Sequence, residues 1–219
     1  MSAALSEGRV LYQLFGRPGW GSALTELQLG WYGLSYRLEE VDDLFASEEA
    51  RQRLAKVNPV AQLPTLVLPD GTVMTESAAI TLHLADVTGS HELVPPAGDP
   101  ARPRFLRWLV FLVANIYPTF TYADDPARFV TGEAAQAAFR ESVDAYAQRL
   151  WGLVENEATG PWFLGERFSA LDIYIAVMTR WRPRRPWFAA HSPRLAAIAL
   201  AAEAQPRLAD VWARNFAEG

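Results

Sequence analysis

The chain has 219 residues, half of them hydrophobic and 21% charged, so it can bury a sizeable core and is not a disordered polar chain. Its 25 acidic and 20 basic side chains leave a net charge of −5, which gives no general attraction to nucleic-acid backbones. It has no cysteine, which excludes disulfide scaffolds, thiolate metal sites, cysteine nucleophiles and a cysteine redox cycle.

In chain order, Met1–Gly8 lacks the basic and apolar regions of a signal peptide. No apolar run reaches the ~20 residues of a membrane-spanning helix. The longest candidate, Trp108–Ile116, is cut short by Asn115 and Pro118. A soluble, cytoplasmic protein is the expectation. Arg9–Phe15 is a short apolar run ended by Gly16 and Pro18 and reads as a strand. Ser22–Gly33 places Leu24, Leu27 and Trp31 at helical spacing, with Ser22 as cap and Gly33 as stop. Ser35–Val41 alternates as a second strand, and Ser47–Val57 reads as a short polar helix begun by a serine cap. Leu63–Met74 holds two apolar runs around Asp70-Gly71, a hairpin signal. Thr75–Val87 follows as an amphipathic helix. The order β-α-β-α-β-β-α implies a mixed four-stranded sheet with helices on its faces.

The segment 88–100, rich in glycine and proline, reads as a linker between domains at 1–87 and 101–219. Everything after it is helical in pattern: Arg104–Tyr117, Gly132–Val154, Ala170–Trp181, Pro193–Ala204 and Pro206–Phe216. The fold class is therefore an α/β domain followed by an all-α helical bundle.

Four segments carry candidate chemistry. The turn Gly16-Arg17-Pro18-Gly19-Trp20-Gly21-Ser22 lies between a strand and a helix but lacks the lysine of a phosphate-binding loop. It lacks the last glycine of a dinucleotide loop and the outer glycines of a nucleophile elbow. What remains is a helix N-terminus with one hydroxyl, Ser22, which suits an anion such as a thiolate and equally suits a plain N-cap. In Asn58-Pro59-Val60-Ala61-Gln62-Leu63-Pro64, a cis bond at Pro64 would present the Leu63 backbone to a peptide-like ligand as a strand would. Glu76 and Ser77 open a helix, where they favour its dipole and could also hold the ammonium and carboxylate of an α-amino acid head. Ser169 and Asp172 have capping-box spacing, with a structural role. His83, His91 and His191 show no metal or catalytic spacing, and the run Arg180–Trp187 reads as a solvated loop between helices. The aromatics Phe105, Trp108, Phe111, Tyr117, Phe120 and Tyr122 exceed what one helix face buries, so some line an apolar pocket.

These residues resemble the cytosolic glutathione transferase family over essentially the whole chain. The resemblance is carried by Asn58–Asp86, similar to that family's glutathione-site signature, and by Gly165–Ile173, similar to its helical-domain capping motif. It implies a thioredoxin-like N-terminal domain, an α-helical second domain and a homodimer. It implies that Leu63 meets the glutathione backbone with Pro64 cis, that Glu76 and Ser77 hold the γ-glutamyl end, and that Gln62 meets the glycyl end. Phe15 stands where tyrosine-type members carry their hydroxyl, and Gly21 where cysteine-type members carry their thiol, so neither type fits. A serine-type or atypical site is left, with Ser22 as the catalytic hydroxyl assisted by Trp20. Similar bacterial members carry Glu-Leu-His where this chain has Asn115-Ile116-Tyr117, so the resemblance also makes Tyr117 a candidate to reach the sulfur or the electrophile. The expected activity is conjugation of glutathione, the co-substrate, to a small hydrophobic electrophile bound by Trp108, Phe111, Asn115 and Tyr117, a detoxification reaction. No metal, nucleotide, nucleic acid or membrane is expected to take part. The alternatives are a non-catalytic glutathione- or protein-binding module, and a glutathione-dependent isomerase or dehalogenase.

Overall fold

The computed structural model describes residues 11–217. The segment Met1–Gly8, the residues Arg9 and Val10 of the predicted first strand, and the last two residues of the predicted second domain lie outside that range. The fold begins with β1 (Tyr12–Gly16), α1 (Ser22–Tyr32), β2 (Tyr36–Glu40), α2 (Glu48–Ala55), β3 (Thr65–Val67), β4 (Val73–Met74) and α3 (Ser77–Thr88). The strands form one mixed sheet in the order β2-β1-β3-β4, parallel between β1 and β2 and antiparallel elsewhere. This is the mixed four-stranded sheet that the alternation and the Asp70-Gly71 turn predict, and the thioredoxin-like layer that the family resemblance implies. Asp70 accepts from the Thr72 N–H at 2.9 Å, and Gly71 takes a φ of +88° that a side chain would oppose.

Alternation along β1 sends Tyr12 and Leu14 to the face covered by α1 and α3, where they meet Leu29, Leu66, Ile80 and Leu84. Phe15 goes to the opposite face and packs with Leu44 and Leu54 beneath α2. Ser47 caps α2 by accepting from the Ala50 N–H at 3.1 Å.

The remainder is helical: α4 (Arg102–Phe111), α5 (Tyr117–Asp124), α6 (Glu133–Glu157), α7 (Ala170–Met178), α8 (Arg185–His191), α9 (Pro193–Glu203) and α10 (Ala209–Phe216). Among the described residues, no helix is long and apolar enough to cross a membrane. Every residue of α7 is buried, which makes it the axis of a core that also takes Leu24 and Leu27 from α1. The sheet layer and the helical layer therefore share one apolar cluster.

Two helices depart from the sequence expectation. Pro118 does not end the helical run after Tyr117. Residues Leu112–Ile116 form a π-helical turn, and α5 starts where Pro118 occupies its first turn and needs no N–H partner. The Arg180–Trp187 segment is not a solvated loop. Arg180 and Arg185 both reach Glu203, Arg182 pairs with Asp144, and α8 begins at Arg185.

Asp172 accepts from the Phe163 and Ser169 N–H groups at 2.7 Å each, and from the Ser169 hydroxyl at 3.1 Å. It closes the capping box of α7 and pins the preceding loop to it. Asp172→Ala leaves buried donors unpaired and is expected to cost about 2–5 kcal/mol, measured by urea unfolding. Burial raises this carboxyl to about 6, against about 3.9 in an unfolded chain. The folded state therefore holds the proton at higher pH, and this group's contribution to stability falls as pH rises from about 4 to about 6. The stability gap between the parent and Asp172→Asn is expected to shrink across that window and stay constant above it.

Candidate functional site

A cleft of about 1000 Å³ lies between the sheet layer and the helices. Gln62, Leu63, Pro64, Glu76 and Ser77 come together along one wall, with Trp20 beside them. The facing wall is mainly apolar and comes from Val113, Tyr117, Pro118, Phe120 and Trp181.

The polar wall is built by local hydrogen bonding. Buried Asn58 donates to the Gln62 carbonyl and the Thr65 hydroxyl, both at 3.0 Å, and accepts from the Val60 N–H at 3.1 Å. Thr65 donates to the same Gln62 carbonyl at 2.8 Å. These bonds fix the loop in front of the cis Leu63–Pro64 peptide bond. Glu76 immediately precedes α3 with a φ of +62°, a region that L side chains rarely adopt. Ser77 opens the helix, so its N–H and those after it lie at the positive end of the α3 dipole. Behind them, the buried Tyr174 phenol lies 3.2 Å from the Thr81 hydroxyl and ties α7 to α3. Burial raises that phenol to about 12, against hydrogen bonding with Ser77 and Thr81, so it stays protonated.

Trp20 stacks obliquely on Phe45 with centroids 5.2 Å apart, and the Arg17 guanidinium lies 5.6 Å from its ring. The turn before α1 is gripped from the helical layer. Trp181 donates to the Gly19 carbonyl at 2.8 Å, and the Gly19 N–H donates to Asn215 at 3.3 Å. The Tyr117 hydroxyl stands 3.5 Å from the Leu63 carbonyl and bridges the two walls. Burial, then the nearby Tyr174 and Glu76, raise the Tyr117 phenol and keep it a donor.

Ser22 is not where a catalytic hydroxyl was expected. It is 1% exposed, lies off the cleft, accepts from the Arg17 N–H at 3.0 Å and donates to the Arg17 carbonyl at 3.1 Å. It is also not the α1 cap, because Gly21 takes that position and Ser22 is the first helical residue. Its hydroxyl folds the turn back on itself. A Cβ at Gly16 would come within 2.8 Å of it, so glycine is required there.

The expected substrate stripe of Trp108, Phe111 and Asn115 also lies off the cleft; of that set only Tyr117 lines it. Trp108 is 2% exposed and packs edge-on against Phe111 and Phe163. Residues 108, 111 and 115 share one side of a regular helix, which is the core side. The π-helical turn at 112–116 resets the register and turns Val113, Tyr117 and Pro118 to the cleft. Sequence reasoning missed Asn58, Arg51 and Trp181 as site builders. Arg51 lines the cleft and donates to the Leu44 and Phe45 carbonyls. None of the three histidines lines the cleft. No group of three or more metal-ligating side chains is placed to hold an ion among the described residues.

The family profile "Glutathione S-transferase, N-terminal domain" matches residues 25–87. The uncharacterized GST-like protein YncG of Escherichia coli K12 is 36% identical over 94% of this chain and 98% of its own. A glutathione transferase structure from Methylococcus capsulatus is 30% identical, with a TM-score of 0.75 over 91% of this chain and 96% of that one. A sphingomonad glutathione S-transferase, solved as a complex with glutathione, is 26% identical with a TM-score of 0.74, over 91% and 96% of the two chains.

The backbone at Glu76 gives a direct test of strain in the polar wall. Its side chain stands on a φ that only glycine adopts freely, so Glu76→Gly is expected to be more stable than Glu76→Ala by about 1 kcal/mol. Thermal unfolding of the two variants measures the difference.

Proposed function

The chain belongs to the glutathione transferase family, and on that premise we propose that it conjugates the glutathione thiolate to a small hydrophobic electrophile. The observation that carries this reading is the meeting of a peptide-binding wall and an apolar wall in one cleft. The γ-glutamyl head matches the Glu76 carboxylate and the α3 N-terminus: the ammonium pairs with Glu76, and the carboxylate receives N–H groups at Ser77. The cysteinyl backbone pairs with Leu63 in the manner of an added strand. The glycyl end then extends past Gln62 towards Arg51, which lines the cleft with its guanidinium paired to Glu48.

This placement leaves the thiol beside Gly21 and the start of α1, facing Val113, Tyr117, Phe120 and Trp181. A free thiol has a pKa near ~8.5, so an environment that favours its anion raises the amount of nucleophile at neutral pH. The thiol proton leaves to solvent. The sulfur lone pair forms the new C–S bond, and the leaving group departs with its bonding electrons; an activated double bond instead takes a proton from water. The protein holds the two reactants in contact and favours the anion. Ser22 acts on this chemistry by shaping the turn, not by touching the sulfur.

Calorimetric titration with glutathione and a conjugation assay with 1-chloro-2,4-dinitrobenzene test the reading. Glutathione is expected to bind and to be consumed one for one with the aryl chloride. Glu76→Gln is expected to weaken binding by about tenfold, the loss of the carboxylate that pairs with the ammonium. Glutathione binding without consumption would mark a binding module, and product turnover with glutathione unconsumed would mark an isomerase. No binding at millimolar glutathione would overturn the reading.

A further inference from the structure

Gly21 and Tyr117 fit each other in a way that neither the fold nor the proposed reaction requires. A Cβ built on Gly21 would lie 1.9 Å from the Tyr117 hydroxyl oxygen and 3.2 Å from the ring carbon that carries it. The same Cβ would lie 2.9 Å from the Leu63 carbonyl oxygen. The Tyr117 hydroxyl therefore occupies the volume that a side chain at residue 21 would fill. Gly21 does not take a positive φ, so this approach, and not backbone conformation, is what demands glycine.

The hydroxyl sits where three features converge. Gly21 is the N-cap of α1, so the free N–H groups and positive dipole end of that helix are adjacent. The Leu63 carbonyl is 3.5 Å away. The ring is held edge-on by Trp181 at 5.5 Å and by Phe120 at 6.1 Å. A cysteinyl residue paired with Leu63 projects its side chain into this corner. We propose that the Tyr117 hydroxyl, seated in the recess left by Gly21, is the catalytic hydrogen-bond donor to the glutathione sulfur.

This inference rests on the reading of the cleft given above. It moves the activating hydroxyl from the sheet layer to the helical layer. A protonated phenol is the species this role needs, and the buried position of Tyr117 beside Glu76 and Tyr174 keeps it protonated. It donates to the thiolate and accepts no proton, so it lowers the thiol pKa without acting as a base. The charged groups lining the same cleft are Arg51, Glu76, Asp124, Asp125 and Arg128. Of these, Glu76 is the one close enough to act on the Tyr117 phenol, and it raises it.

The test is the thiolate absorbance of the glutathione complex followed against pH, with glutathione affinity and turnover of 1-chloro-2,4-dinitrobenzene measured on the same proteins. Tyr117→Phe is expected to raise the bound thiol pKa by about one to two units, the worth of one hydrogen bond to a charged atom. Glutathione affinity should stay within about twofold, and the loss of kcat should shrink as pH rises past the new thiol pKa. Gly21→Ala evicts the hydroxyl and should reproduce the same rise. Combining the two changes should add little to the rise in thiol pKa, because each removes the same hydroxyl, whereas glutathione affinity should fall in both Gly21→Ala proteins, because the new Cβ still lies 2.9 Å from the Leu63 carbonyl. Ser22→Ala should leave the thiol pKa where it is in the parent.

A parent-like thiol pKa in either Tyr117→Phe or Gly21→Ala overturns the inference while leaving glutathione binding intact. A pKa rise in Ser22→Ala without one in Tyr117→Phe returns the role to serine and also overturns it. Failure of the parent to bind glutathione is a different result, and overturns the reading of the cleft on which the inference stands.

Discussion

The buried carboxylate of Glu26 fixes how the sheet layer and the helical layer meet. It is 2% exposed yet fully engaged, and its partners come from both layers. Tyr36 on β2 donates to it at 3.0 Å, while Arg214 and Asn215 on α10 donate at 2.7 and 2.6 Å. A carboxylate taken out of water is tolerated only when its acceptor capacity is met, so this cluster admits one arrangement of α1, β2 and α10. Asn215 passes the constraint on, because its side-chain oxygen receives the Gly19 N–H while Trp181 holds the Gly19 carbonyl. The turn that carries Trp20 and Gly21 is thereby positioned by the C-terminal helix, almost two hundred residues away in sequence. The cleft depends on a docking contact between the layers, and a change in α10 reaches the floor of the site through two hydrogen bonds.

This contact explains what was legible in the sequence. The sheet and its flanking helices were readable because their signals are local: alternation in β1 and β2, the Asp70-Gly71 turn, the Gly33 stop, the Ser47 cap and the Ser169–Asp172 box. The polar wall was readable for the same reason, since Gln62, Leu63, Pro64, Glu76 and Ser77 lie within one short stretch. The apolar wall was not. A stripe at 108, 111 and 115 carries the period of a regular helix, and nothing local announces that the ladder shifts to i→i+5 at 112–116. Pro118 then reads as a terminator, although the change of register makes it a first-turn residue. Glu26 was equally silent, because a lone glutamate in a helix acquires meaning only from Arg214 and Asn215.

Ser22 shows how a local rule leaves the use of a hydroxyl undetermined. Serine at a helix start suits a cap, and a hydroxyl near a positive dipole also suits an anion. Here the turn uses that hydroxyl twice on Arg17 and buries it against Gly16. The signal that counted was an absence: two glycines, at 19 and 21, needed for different reasons. Gly19 takes a φ of +77° that a side chain would oppose, and Gly21 leaves room for the Tyr117 hydroxyl, which would lie 1.9 Å from a Cβ there.

A site whose binding wall is local and whose opposing wall is remote divides its tasks accordingly. The polar wall is read from the backbone: a loop held by Asn58, a strained residue at Glu76 and a helix N-terminus. These features offer backbone groups and a helix N-terminus, and none of them depends on the side chains of the facing wall. The apolar wall is read from side chains on a π-helical turn and the helix after it, a segment whose register a single inserted or deleted residue would change. Tyr117 is the first residue after that turn, so the register set at 112–116 decides both where its hydroxyl lies against Gly21 and which apolar side chains line the cleft. The polar wall does not depend on that register, because its hydrogen bonds are local to residues 58–65. A fold shared across a family therefore leaves the close approach of Gly21 and Tyr117 to be settled by one helical turn of this chain.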